Sequence, residues 1–199
     1  MTNFTRKPAA PHLPVVPVRL AAADRAALLE HFKALDAEDR RLRFGLPLGD
    51  AALEAYVQRI DFEGDDVLVV HDEGLRIVAA IHVARAGSAA ELGLSVLPGH
   101  RAEGVGSALF ERAVMRIRNR GLGSVYIHCL VENAAMMHIA RKLGMRVVRE
   151  GAETDAYLAL PPATAQTRWD EWVRDQQANA VKAIRQQARL SRALMGIFG

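Results

Sequence analysis

A single cysteine, Cys129, stands in 199 residues. One thiol excludes an intrachain disulfide, and no Cys/His spacing of the zinc-binding kind occurs. A reducing compartment is the simplest setting, so a cytoplasmic location is expected. Long apolar runs are missing too. No stretch approaches the roughly 18 residues of a membrane span, and no stable membrane insertion is expected. The opening MTNFTRKPAAPHLPVVPVRL carries Arg6 and Lys7 but is broken by prolines, without the continuous apolar region of a secretion signal. It reads as an extended arm over residues 1–14 that leads into a first strand. A charge surplus is nearly absent: 26 Lys and Arg face 23 Asp and Glu, a net charge of +3. Six of those bases and three of those acids lie from Ala163 onward, so the body is balanced and the tail carries the surplus. A balanced body argues against a nucleic-acid partner. No internal repeat or low-complexity block occurs.

What is present is an ordinary globular composition, 50% hydrophobic and 25% charged. It suits one domain, residues 15–162, with a tail over 163–199. Asp24 stands where it can cap a helix from about Arg25 to Leu35, with Leu28, Leu29, Phe32 and Leu35 at helical spacing. DAEDRRLRFGLPLGD reads as a short helix ending near Gly45, and Asp50 restarts a helix with Leu53, Tyr56, Val57 and Ile60 on one side. DVLVVHDEG and LRIVAAIHVA form a hairpin around Asp72-Glu73-Gly74. AELGLSVLP is a third strand. VGSALFERAVMRIRNRG is a helix burying Leu109, Ala113, Val114 and Ile117. SVYIHCLV is a strand, NAAMMHIARKLG a helix capped by Asn133, and RVVRE and DAYLAL the last strands. An antiparallel meander followed by strand–helix–strand predicts an α/β fold with a mixed sheet containing at least one parallel pair.

The tail has helix-forming composition. Lys182, Arg185, Arg189 and Arg192 share one stripe, with Ala180, Ile184, Ala188, Met195 and Phe198 roughly opposite. The expected arrangement is a solvated basic face with the apolar stripe packed on the body. Docking to a partner subunit, as in a homodimer, and contact with an anionic membrane surface are alternatives.

The segment LPGHRAEGVGSAL joins a strand to a helix. The unpaired N–H groups of a helix start attract anions. Gly104 and Gly106 allow close backbone approach, and Arg101 adds a cation. A phosphate or pyrophosphate is the natural guest; a tight turn that merely starts a helix is the plainer alternative. Leu109 stands where a dinucleotide fingerprint needs its third glycine. Gly106-Ser107-Ala108 lacks the lysine of a P-loop.

Val96, Pro98, Arg101, Gly104 and Gly106 together resemble the acyl-CoA-binding motif of the GNAT family of N-acetyltransferases, Arg/Gln-x-x-Gly-x-Gly/Ala after a strand often ending Val-x-Pro. Asn133 followed eleven residues later by Gly144-Met145 is similar to the family's Asn-(x)10-Gly-Phe block, with Met for Phe. The resemblance spans roughly Val15 to Leu160. It implies a twisted, mostly antiparallel sheet of six or seven strands with helices on both faces. It further implies acetyl-CoA as co-substrate without a metal, and an amine acceptor, either a small molecule or a protein lysine. The strand Ala90 to Val96 would splay from its neighbour, leaving backbone groups of Leu94 and Val96 for pantetheine. The N–H groups of Arg101, Glu103, Gly104, Val105, Gly106 and Ser107 would hold the pyrophosphate. Asn133 would lie near the thioester arm or simply cap its helix.

The position where the family often has a thiolate-protonating tyrosine is Ala140 here. Tyr126 and Tyr157 read as strand packing. Glu91 is the candidate base, on a small-residue strand face shared with Ala89, Gly93 and Ser95, where partial desolvation would raise its pKa. The resemblance is sharpest to bacterial protein-lysine acetyltransferases, which share an Ala-Glu on this strand and a segment like EDRRLRF, Glu38 to Phe44. A surface ion pair is the alternative role for Glu91. EDRRLRF is read as a solvated turn with Leu42 and Phe44 packed inward, or as one wall of an acceptor groove. His82 and His128 are expected as packing residues, and Cys129 as buried and inert. The expected activity is N-acetyl transfer. The rival reading is a non-catalytic acyl-CoA sensor acting through its C-terminal helix.

Overall fold

β-Branched alternation gathers seven strands into one sheet, seen in a computed structural model that describes residues 15–195, with side chains as far as Gln187. The expected arm, residues 1–14, lies outside the described residues. The strands are β1 (Val18–Arg19), β2 (Asp66–His71), β3 (Ile77–Ala86), β4 (Ala89–Val96), β5 (Ser124–Leu130), β6 (Arg146–Glu150) and β7 (Glu153–Ala159). Their order is β1-β2-β3-β4-β5-β7-β6. β4 and β5 run parallel, and the other neighbours are antiparallel. The helices are α1 (Arg25–Lys33), α2 (Ala37–Phe44), α3 (Asp50–Arg59), α4 (Val105–Asn119), α5 (Ala134–Lys142) and α6 (Ala165–Met195).

The central strands bury both faces, which is why β2 reads as an apolar run without alternation. Val67, Val69 and Ala80 pack on Leu28 and Phe32 of α1 and on Leu53 and Val57 of α3. Leu68, Ile81, Val83 and Leu92 turn the other way, onto Leu109, Phe110 and Ala113 of α4 and Met136 and Ile139 of α5. The site therefore lies between two separately packed helical layers.

Caps fix the helices that border it. The Asp36 carboxylate accepts the Asp39 N–H at 2.8 Å, and Gly45 ends α2 at φ +78°. Asp24 does not cap α1 as expected; its carboxylate accepts the Ala21 amide before the short 3-10 turn.

Over its described part, α6 docks the opposite way round from the expected arrangement; Ala188, Arg189, Arg192, Met195 and Phe198 of the two stripes lie outside the described side chains. Ile184 is 66% exposed and Ala180 also faces out, whereas Ala178 is buried. Lys182 reaches Asp24 at 4.0 Å, and Arg185 donates to the His71 carbonyl at 3.0 Å. Charge pairing sets this orientation. Arg112 of α4, buried on the helix face that α6 covers, meets Asp175 at 2.5 Å; Arg116 and Asn119 meet Glu171. Arg116 also reaches the buried Asp66, which Arg19 and Arg120 flank as ion pairs. An alanine-rich stripe has little area to bury, so satisfying these charges decides the face.

Candidate active site

β4 and β5 share only three residue pairs, Ala89 with Ser124, Ala90 with Val125 and Glu91 with Tyr126. Both strands then continue without pairing, so they diverge. The Leu97 amide bonds to Val78 of β3 at 2.9 Å. By alternation, Leu94 and Val96 turn their N–H and C=O groups away from β3 and into the gap. At the mouth of the gap sits the glycine loop. Gly104 adopts φ +78°, the left-handed turn that launches α4. The Ala108 N–H bonds back to Gly104, the first bond of the helix, so the amides of Val105, Gly106 and Ser107 point out of its end.

Leu94, Val96, Arg101, Gly104, Val105, Gly106, Ser107 and Asn133 all line one cavity of about 570 Å³. Glu103 stands outside it, exposed, 3.9 Å from His100. The fit to an acyl-CoA is close. A Cβ on Gly106 would come within 3.2 Å of Ile139 and 3.3 Å of Leu94, so the loop already rests on the gap's apolar wall. Arg101 is engaged from the protein side: its Nε donates to the Val96 carbonyl at 3.1 Å and its Nη2 meets Asp39 of α2 at 2.5 Å. Asn133 takes the capping role and lines the cavity. It accepts the Met136 amide as a cap and donates to the Leu42 carbonyl at 3.2 Å, tying α5 to α2 across the gap.

Glu91 lies where the strands part. It is exposed, not desolvated as expected, and accepts a hydrogen bond from Tyr126 at 3.0 Å. Tyr126 therefore does more than pack: it bonds the candidate base, a pairing set by the β4–β5 register and silent in the sequence. Burial and the Glu91 hydrogen bond raise its phenol above the ordinary value. Ala140 is fully buried on the core face of α5.

His128 is not a packing residue. It is exposed and pairs with Asp155 at 2.7 Å, which raises its pKa. Burial pushes the Cys129 thiol up to about 11, keeping it protonated. The EDRRLRF segment is helix α2, not a turn, and Leu42 and Arg43 line the cavity. His82 bridges Tyr56, at 2.7 Å, and Asp65, at 3.0 Å, and burial lowers its pKa, leaving it neutral at pH 7. Arg43 and Tyr56 were visible in the sequence only as helix residues; their convergence with His82 needs the fold.

Solved N-acetyltransferases share this architecture. The GNAT domain of S. lividans PAT superposes with a TM-score of 0.63 at 21% identity, covering 72% of this chain and 89% of that one. The Salmonella typhimurium protein yncA, solved with its cofactor acetyl-CoA, gives 0.58 at 19%, covering 77% and 98%. Spermidine N-acetyltransferase from Vibrio cholerae, in complex with CoA and spermine, gives 0.59 at 18%, covering 73% and 95%. Comparison with curated proteins gives no match. A split sheet with an anion-binding helix start defines the acyl-CoA-dependent N-acyltransferases as a class. The model of the acetyltransferase (GNAT) family matches residues 31–145, and the chain belongs to that family.

Proposed function

We propose that the chain transfers an acetyl group from acetyl-CoA to a primary amine by direct attack, with Glu91 as base. The observation that carries this reading is the parting of β4 and β5 just past Glu91, with a glycine-loop cavity lined by Leu94, Ser95 and Val96 farther along the same strand; Glu91 itself lies outside the cavity lining. The amides of Val105, Gly106 and Ser107, together with Arg101, would hold the diphosphate. Leu94 and Val96 would pair with the pantetheine amides. Acetyl-CoA supplies the activated thioester. The amine nitrogen forms the new C–N bond as the C–S bond breaks. Glu91 takes the amine proton, and Tyr126 orients its carboxylate. With Ala140 in place of a tyrosine, the thiolate leaves to water.

The acceptor classes are a protein lysine, from the resemblance to protein-lysine acetyltransferases, a polyamine such as the V. cholerae neighbour's spermine, or an amino acid. Residues 15–162 form the catalytic domain and 163–199 an appendage that carries α6. The lone buried thiol suits the cytoplasm.

Glu91→Gln tests the base. We expect kcat for thiol release to drop about 10²–10⁴-fold, while acetyl-CoA affinity by calorimetry is unchanged. An unaltered kcat and pH–rate profile refutes the assignment.

A further inference from the structure

Among the described residues, Arg43 forms no ion pair. It lies on α2 and lines the same cavity as the glycine loop. Its guanidinium rests against Gly93 of β4, where any Cβ would collide with it, so a bare strand position is what admits it. Gly93 is two residues from Glu91 on the same strand face. Three rings surround the cation, Phe44 at 4.7 Å, Tyr56 at 5.7 Å and Phe32 at 6.0 Å. Its Nη2 donates to the Tyr56 hydroxyl at 3.0 Å. That hydroxyl donates to His82 Nδ1, and His82 Nε2–H donates to Asp65, so a chain of three hydrogen bonds fixes the guanidinium from behind.

Among the described residues, Arg40, Arg112 and Arg116 each meet a carboxylate within 4.0 Å, and Arg43 meets none. Its Nε is buried without a hydrogen-bond partner, and Nη1 is free of any protein acceptor. A half-buried cation held rigidly without an anion is costly. The cost is recovered when a ligand supplies the missing charge. The location selects the kind of anion. The diphosphate belongs at the helix start, whereas Arg43 stands beside Glu91 at the reacting end.

We propose that Arg43 reads a carboxylate on the substrate, so that this enzyme handles a carboxylate-bearing reactant. The carboxylate comes either from the far end of a dicarboxylic acyl group on the thioester or from the α-carboxylate of an amino-acid acceptor. Both present the planar anion that a guanidinium matches best. This inference rests on the acyl-CoA reading of the cavity.

Binding decides it without turnover. In the donor arm, calorimetry compares succinyl-CoA with butyryl-CoA. In the acceptor arm, with coenzyme A present, it compares L-alanine with L-alaninamide and L-lysine with L-lysinamide. We expect a preference of about tenfold or more for the carboxylate in one arm. It should vanish in Arg43→Gln and in Gly93→Ala, which displaces the guanidinium without removing it; thermal unfolding verifies that each variant is folded. The arm that responds names the source. A flat result in both arms, or a preference that survives both folded variants, overturns the inference. Carboxylate preference without thiol release would leave it standing and sink acetyl transfer instead. Failure of every coenzyme A ligand to bind sinks both.

Discussion

His31 is buried at 2% exposure between two layers, and its two ring nitrogens are both used. Nδ1–H donates to the Ile77 carbonyl at 3.1 Å, and Nε2 meets the Ser95 hydroxyl at 2.8 Å. Burial, aided by Arg43 and Arg76, pushes the imidazole from 6.5 down to about 4. The folded pKa is the lower one, so below 6.5 the unfolded chain binds more protons. Stability is therefore full above pH 6.5 and declines as pH falls toward 4, by about 3 kcal/mol in all. Urea unfolding across that window should show the decline, and His31→Gln should flatten it; an equal slope in the variant would refute the account. At this scale the sequence was legible where chemistry is local. Gly104, Gly106 and Asn133 could be found because a turn, a helix start and a cap each demand particular residue types. The Glu91–Tyr126 bond and the Arg43–Tyr56–His82–Asp65 chain could not, because they join residues that only strand register and helix docking bring together.

At the scale of elements, α2 is the piece whose role the sequence concealed. Its C-terminal end was readable from Gly45. Its position across the parting strands depends on long-range ties: Asp39 to Arg101, Arg41 to Glu132 and Leu42 to Asn133. The first engages the arginine proposed above to hold the diphosphate. Asp39→Asn frees Arg101, and acetyl-CoA should then bind a few-fold more tightly by calorimetry, in keeping with about 1 kcal/mol for a half-exposed pair. Weaker binding would show that Asp39 holds Arg101 ready rather than withholding it. α6 teaches the complementary point. Periodicity sorted its residues into stripes, but the stripe that meets the body is chosen by Arg112, Arg116 and Asn119 on another helix.

At the scale of the whole molecule, element order was largely legible, because alternation, turn residues and caps are written locally and the meander joins sequence neighbours. The order β5-β7-β6 at the far edge is not local, and neither is the point where β4 and β5 separate. That separation makes a prediction for exchange of backbone hydrogens. The amides of Leu94 and Val96 should exchange readily in the free protein and slow markedly at saturating acetyl-CoA, while those of β2 and β3 stay as they were. Equal protection with and without the ligand would contradict the open ladder.

With so few rungs between β4 and β5, the protein is two half-sheets joined near one end. On the proposed binding mode, a pantetheine arm lying in the gap would act as a substitute strand, bonded along its edges where the chain provides no partner. Rigidity across the molecule would then be borrowed from the molecule it consumes, and each release of product would return the two half-sheets to their three shared pairs.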